Sequence, residues 1–204
     1  MKAIFITGAP GSGKTYISDT IMIKMALTQN IITQVSSDIM RDILRANICI
    51  TQAPALHSSS LHAGEHAPPS EQDPAIWGYK TQAEIVIDKG IIPTIKRMFT
   101  EDKNIVIDGV HCIPSMLIEK LAGLKSSNLE IITICCYVPD VETHLSQIAN
   151  QGRSYVAEKL KNIGPIRHMQ DFLYADSLKA GSHIVGGTDA LCQIDSILSQ
   201  IFGM

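Results

Sequence analysis

Short apolar runs of strand length alternate along the chain with longer stretches in which apolar residues recur every three or four positions. The runs at 2–6, 32–36, 104–108, 130–137 and 182–186 are rich in Ile, Val and Phe and read as strands. Helical period appears at about 14–28, 38–46, 76–99, 115–124, 140–150 and 165–180, followed by a last helix. In that helix Leu191, Ile194, Ile197, Leu198 and Ile201 share a face, which predicts a core stripe, with Thr188 as its cap. Gly90 and Pro93 predict a break or bend in the long 76–99 segment. Strand and helix in alternation predict an α/β fold: a mostly parallel five-stranded sheet with helices on both faces, in three layers.

Two stretches have neither period. Residues 48–75 are rich in Pro, Ser and His, long for a structureless connection, and predict a functional loop. Residues 151–164 carry Arg153, Lys159 and Lys161 between Gly152 and Gly164, and predict a hinged lid. The longest apolar run, Ile131 to Val138, includes Thr133 and is far shorter than the ~18 residues of a membrane span. Residues 2–6 are too few for a signal sequence. The 204 residues suit a single domain that begins at the first residue and buries roughly 70% of its unfolded surface, without need of disulfides or structural metal. Five cysteines, with no C-x-x-C pair, read as reduced core residues of a cytoplasmic protein.

Charge narrows the partners. Seventeen Lys and Arg against twenty Asp and Glu leave a net charge of -3, which argues against nonspecific binding to nucleic acid or an anionic membrane. An anionic ligand must therefore be held by a local arrangement. The run Gly8, Ala9, Pro10, Gly11, Ser12, Gly13, Lys14, Thr15 matches G-x-x-x-x-G-K-[ST] between an apolar strand and a helix. Its glycines let successive backbone N–H groups surround a phosphate, with the helix adding its positive end. Lys14 then reaches the β- and γ-phosphates and the Thr15 hydroxyl ligates Mg²⁺. The motif and the alternation together predict a P-loop NTPase fold, nucleoside-monophosphate-kinase-like, that binds a nucleoside triphosphate with Mg²⁺. Kinase, GTPase-type switch and mechanical ATPase all remain open on the motif alone.

The second strand ends Ser36-Ser37-Asp38, with Arg41 three residues on and on the same helical face. Strand carboxyl ends border the ligand crevice in such sheets, so Asp38 is expected to orient an acceptor hydroxyl and take its proton, unless it serves only as a helix cap. Arg41 is expected to grip an anionic group of the acceptor. The third strand closes on Asp108-Gly109-Val110-His111, a Walker B-like pattern in which Asp108 holds a Mg²⁺-bound water or else merely turns the chain. His111 either touches the acceptor or caps a turn. His57, His62 and His66 lack a recurrent zinc spacing and read as parts of a polar substrate loop. Arg153 and Arg167 are candidates to close over the triphosphate and neutralise charge on the transferred group.

Taken together, GAPGSGKT, SSDIMRDILR, PALHSSS at 54–60, IWGYKTQ with the later Gly90-Ile91, IDGVHCIP at 107–114 and IRHMQDFL at 166–173 resemble the 2-phosphoglycerate kinase family of P-loop kinases. The likeness runs over most of the chain. It implies ATP- and Mg²⁺-dependent phosphorylation of a hydroxyl on a small acidic metabolite; for 2-phosphoglycerate the product is 2,3-bisphosphoglycerate. By motif it implies that Lys14 and Thr15 serve the triphosphate, Asp38 and Arg41 the acceptor, His57, Ser58 and Ser59 the substrate loop, and Arg153 and Arg167 the cover. Many members carry an additional N-terminal domain, whereas this chain starts on the phosphate-loop strand, and residues 183–189 read HIVGGTD where an Asn-bearing turn is expected.

Two other readings compete. A kinase of nucleic-acid 5'-hydroxyls also pairs a phosphate loop with D-x-x-R, but calls for basic clusters with aromatic platforms, and here aromatics are 5% with one Trp. A catalytically silent ATP-binding module keeps the cradle without the chemistry. A GTPase switch lacks its N-K-x-D motif. The expected partner is a small anionic substrate, with nucleic acid and membrane unlike it, and the protein a monomer or homodimer.

Overall fold

The computed structural model describes residues 1–28, 32–124, 128–150 and 156–203. Strands β1 (Lys2–Thr7), β2 (Ile32–Ser36), β3 (Asn104–Asp108), β4 (Glu130–Cys136) and β5 (His183–Val185) form one sheet in the order β2-β3-β1-β4-β5. Every pairing is parallel, so the sheet is wholly rather than mostly so. Parallel strands need crossover connections, and these put helices on both faces. The helices are α1 (Lys14–Leu27), α2 (Ser37–Asn47), α3 (Pro54–His57), α4 (Pro74–Val86), α5 (Ile92–Thr100), α6 (Pro114–Leu121), α7 (Val141–Ala149), α8 (Val156–Lys161), α9 (Ile163–Lys179) and α10 (Ala190–Phe202).

Strand alternation divides the core. Ala3, Phe5, Ile105 and Ile107 point to one face and pack with Val86, Ile91, Ile95, Leu117 and Leu121. Ile4, Ile6, Val106, Ile132 and Ile134 point to the other and pack with Ile17, Ile21, Met25, Ile194 and Leu198. Each such residue taken out of water contributes about 1.5–3 kcal/mol, which is why the strands read as unbroken apolar runs. The edge strand β2 is only half-buried throughout.

Several local expectations change in three dimensions. The 76–99 segment is divided into two α-helices as Gly90 and Pro93 predict, but by a π-helical turn, Ile87–Ile91, that joins α4 to α5 rather than by a gap. Pro93 has no N–H to donate four residues back, and the wider turn makes room for its ring, while Thr94 Oγ1 donates to the Gly90 carbonyl at 2.8 Å. Residues 48–75 are not structureless; they hold α3 and a 3-10 turn, Ala63–His66, with Ala55, Leu56 and Ala63 buried. Within the stretch read as a lid, α8 forms and Gly164 sits in the first turn of α9.

Thr188 does not cap α10. The residue at that end is Asp189, with no side-chain capping bond, and Thr188 Oγ1 donates to Asp189 Oδ1 instead. Leu191, in the first turn of α10, is exposed, whereas Ile194, Ile197 and Leu198 are buried. The five cysteines are free, but Cys49 and Cys192 are exposed, so only Cys112, Cys135 and Cys136 belong to the interior. No described helix is long and apolar enough to cross a membrane.

Candidate functional site

The carboxyl ends of the three central and edge strands are level. Ile6 pairs with Asp108 and Ser36 with Asp108, so the turns leaving β1, β2 and β3 emerge side by side. The β1 turn is the cradle. Gly8, Gly11 and Gly13 adopt φ of +148°, +86° and +89°, a region that side chains disfavour. Gly11 also has no room for one: a Cβ there would lie 2.4 Å from Ile148 Cγ1 and 3.2 Å from the His144 ring. Gly13 stands at the start of α1 with no side-chain cap, leaving the first N–H groups of that helix for another partner. Lys14 Nζ donates to the Ala9 carbonyl at 2.9 Å, folded back over the loop. Burial lowers its pKa, against the pull of Asp38, Cys136 and Asp108, so its charge is short of compensation. Thr15 is exposed at the mouth, and the buried Ser12 Oγ has no protein partner.

Asp38 does not cap α2. Ser36 does, its hydroxyl accepting from the Asp38 N–H at 3.2 Å, and this leaves the Asp38 carboxylate 60% exposed beside the crevice. Asp108 is buried, and burial raises its pKa against the opposing charge of Lys14. Gly109, at φ +141°, brings the backbone onto Ser37; a Cβ there would lie 2.0 Å from Ser37 Oγ.

Behind Asp38 lies a buried polar cluster. His111 is fully buried, with Nδ1 3.1 Å from Ser37 Oγ and 3.5 Å from Asp38 Oδ1, and Nε2 3.0 Å from Gln82 Oε1. Gln82 Nε2 donates to the carbonyls of Ala55 (2.6 Å) and Ser58 (2.9 Å), and Ser60 Oγ donates to Gln82 Oε1 at 2.6 Å. Burial depresses the His111 pKa to about 4, so the ring is neutral near pH 7.

Arg41 donates from Nε to the Leu56 carbonyl (3.3 Å) and from Nη2 to that of Ser58 (2.7 Å), which ties α2 to the 54–60 loop and leaves three of its five N–H bonds. His57 is 2.8 Å from the Ile48 carbonyl, Ser58 Oγ is 2.9 Å from His66 Nε2, and Ser59 is exposed. His62 meets Glu65. Arg167 donates to the carbonyls of Val138 (2.6 Å) and Pro139 (2.9 Å), clamping the connection from β4 to α7. Arg153 lies outside the described residues. Across the cradle, His144 of α7 donates from Nε2 to the Pro10 carbonyl at 2.9 Å.

The structure thus brings Lys14, Asp38, Asp108 and the turn after β1 to one edge, with Arg41 of α2 tied to Ser58 beside it, whereas His57 turns to the Ile48 carbonyl and Ser59 is exposed. Sequence reasoning did not find Ser37, Ser60, Gln82 or His144. One signal was present for Gln82: Tyr79, Gln82, Ala83 and Val86 lie on one helical stripe, and a polar residue on a buried stripe needs a partner.

Among the described residues no group of three or more His, Cys, Asp and Glu is placed to hold a metal ion. Mg²⁺ does not require such a group, since it keeps several waters and takes its other ligands from phosphate. Thr15 and Asp108 are the side chains beside the turn that would fit Mg²⁺, and a glycine-lined turn with a buried, unpartnered Ser12 hydroxyl has the chemistry that fits a polyphosphate.

No family profile matches the chain. It is 26% identical over 206 residues to the 2-phosphoglycerate kinase of Methanothermobacter thermautotrophicus and 27% identical over 201 residues to that of Methanocaldococcus jannaschii, covering 97% of this chain in each case. In sequence the chain is 2-phosphoglycerate kinase-like. It spans 64% and 62% of the length of those relatives. A mevalonate-3-phosphate 5-kinase of Thermoplasma acidophilum is 29% identical over 150 residues, 74% of this chain and 68% of that one. The 2-phosphoglycerate kinase-like sequence and the parallel sheet with its cradle agree on a P-loop kinase type of fold.

Proposed function

We propose that the chain is a small-molecule kinase, a single domain over 1–204 that transfers the γ-phosphate of ATP, with Mg²⁺, to a hydroxyl of a small acidic metabolite resembling 2-phosphoglycerate. The observation that carries the reading is the level placement of the cradle, Asp38 and Asp108 at the ends of β1, β2 and β3. The names of the relatives favour an acceptor that is itself a phosphorylated acid, since both 2-phosphoglycerate and mevalonate 3-phosphate are of that kind.

In this reading Lys14 swings from the Ala9 carbonyl onto the β- and γ-phosphates, and its half-desolvated charge meets the anion it lacks. Thr15 and Asp108 would hold Mg²⁺, which would supply charge neutralisation at the phosphates. Asp38 holds the acceptor hydroxyl and takes its proton, the exposed carboxylate being uncommitted to a cap. The remaining N–H groups of Arg41 face the acceptor's anionic group, with the 54–60 loop positioned by the other two. Arg167 supports the wall of the site, and Arg153 closes it with 151–164 as a lid. Five free cysteines fit a reducing, cytoplasmic setting.

The test incubates the protein with Mg-ATP and a panel of hydroxy acids, plain and phosphorylated, together with an oligonucleotide bearing a 5'-hydroxyl, and weighs the products. A phosphorylated acid gaining one phosphoryl group is the expected result. Transfer to the oligonucleotide alone overturns the acceptor class, and ATP bound with no transfer overturns the kinase reading.

A further inference from the structure

The amide of Gln82 cannot be turned round. Its nitrogen donates to two carbonyls of the 54–60 loop, and Ser60 donates to its oxygen, so Oε1 must face His111 Nε2. An amide oxygen only accepts, and therefore Nε2 of a neutral His111 carries the ring proton. Nδ1 is then a bare lone pair. It faces Ser37 Oγ, whose hydroxyl donates to it, and Asp38 Oδ1 at 3.5 Å. With the opposite tautomer Nδ1–H would donate to Ser37 Oγ at 3.1 Å instead of accepting from it, and a protonated ring would also set a positive charge 3.5 Å from Asp38 Oδ1.

We propose that Gln82 and His111 are positioning residues that form a tautomer lock: the 54–60 loop orients the Gln82 amide, the amide fixes His111 as the Nε2–H form, and the ring thereby presents a lone pair, rather than an N–H or a charge, beside Asp38. The inference rests on Asp38 as the base, as argued under Proposed function. It explains why a histidine with no exposed surface sits against a carboxylate without pairing to it. The charged groups acting on the ring are Asp38 and Asp42 of α2, which favour its protonation, and Arg41 of α2 and Lys14 of α1, which oppose it. The groups that meet it from α4 and from the loop, Gln82 and Ser60, are neutral. The lock also ties the form of the ring to the loop: once the carbonyls of Ala55 and Ser58 leave Gln82, the ring is free to change form.

The test is ¹⁵N NMR of the full chain labelled at histidine, with the His111 signals assigned through His111→Asn, alongside kinetics of Gln82→Leu and Gln82→Glu. At pH 7 the native ring is expected as Nε2–H with Nδ1 unprotonated. Gln82→Leu removes the acceptor and moves the proton to Nδ1; kcat falls about tenfold or more with ATP affinity unchanged, the loss expected for a hindered general base. Gln82→Glu places a carboxylate at Nε2, draws a second proton onto the ring, and moves the acid limb of the kcat profile to higher pH. A native ring protonated at Nδ1 overturns the proposal, as does a Gln82→Leu protein that keeps its kcat or loses kcat with the tautomer unmoved. The NMR readout needs no turnover, so a protein that shows the lock but phosphorylates no acceptor refutes the kinase reading and not the tautomer assignment.

Discussion

Replacing His111 by glutamine should flatten the acid side of the stability curve, and the size of the effect follows from burial. An unfolded histidine takes up a proton near pH 6.5, whereas in the folded chain the His111 ring resists it until about 4, because it is buried away from water. Between those values the unfolded state binds more protons than the folded one, so stability falls as pH falls through this window. At 1.36 kcal/mol per unit, the cost by pH 4 is about 3 kcal/mol. His144, whose pKa burial also lowers, acts in the same direction, and Asp108, whose pKa burial raises, acts in the opposite one. Glutamine does not titrate, so His111→Gln removes the His111 share and leaves the other two. Urea unfolding of both proteins at pH 7 and pH 4 measures it. With a slope of about 2–3 kcal/mol per molar, the native midpoint should drop about 1 M further than that of the variant. The loss of hydrogen bonds makes the variant weaker at every pH, but that offset cancels in the difference. Midpoints that fall in parallel would refute the claim that the ring is neutral and buried in the folded state.

Four other outcomes are expected. Lys14→Ala should weaken nucleotide binding about 10- to 100-fold, the worth of a hydrogen bond to a charged group, read by calorimetric titration. Asp38→Asn should lower kcat by about 10² to 10⁴ while nucleotide affinity is kept; a silent binding module would show no such split. Gly11→Ala should abolish nucleotide binding and cost about 1–3 kcal/mol in thermal unfolding, because φ is +86° and Ile148 occupies the space. Gly78→Ala puts a methyl 2.2 Å from the Ala63 backbone, so it should displace the 63–66 turn and raise KM for the acceptor while leaving that for ATP unchanged in steady-state kinetics.

How much was legible depends on how local the cause was. The strands were, since a strand covered on both faces must be apolar at every position, and the two sides of Ala3 to Ile6 bear this out. The cradle was, because its backbone conformation is set by glycines at fixed spacing. By contrast, Gly90 and Pro93 do signal trouble in a helix, but whether the chain breaks or widens into a π turn depends on the packing of Ile87 and Ile91 into the core. Ser36, Ser37 and Asp38 are all favoured caps, and only the path of the chain out of β2 made Ser36 the cap and left Asp38 exposed.

The amino-acid sequence alone determined the alternation of strand and helix, the glycine-set turn after β1 and the carboxylates near the strand ends, because each depends on residues within a few positions of one another. Tertiary structure alone decided what stands behind them. Gln82 and Ser60 lie 29 and 51 residues from His111. The proton on His111 is assigned by an amide whose own orientation is set by carbonyls 24 and 27 residues away. A hydrogen bond is short-ranged and directional, and no local pattern can specify one until the fold has brought its partners within 3 Å.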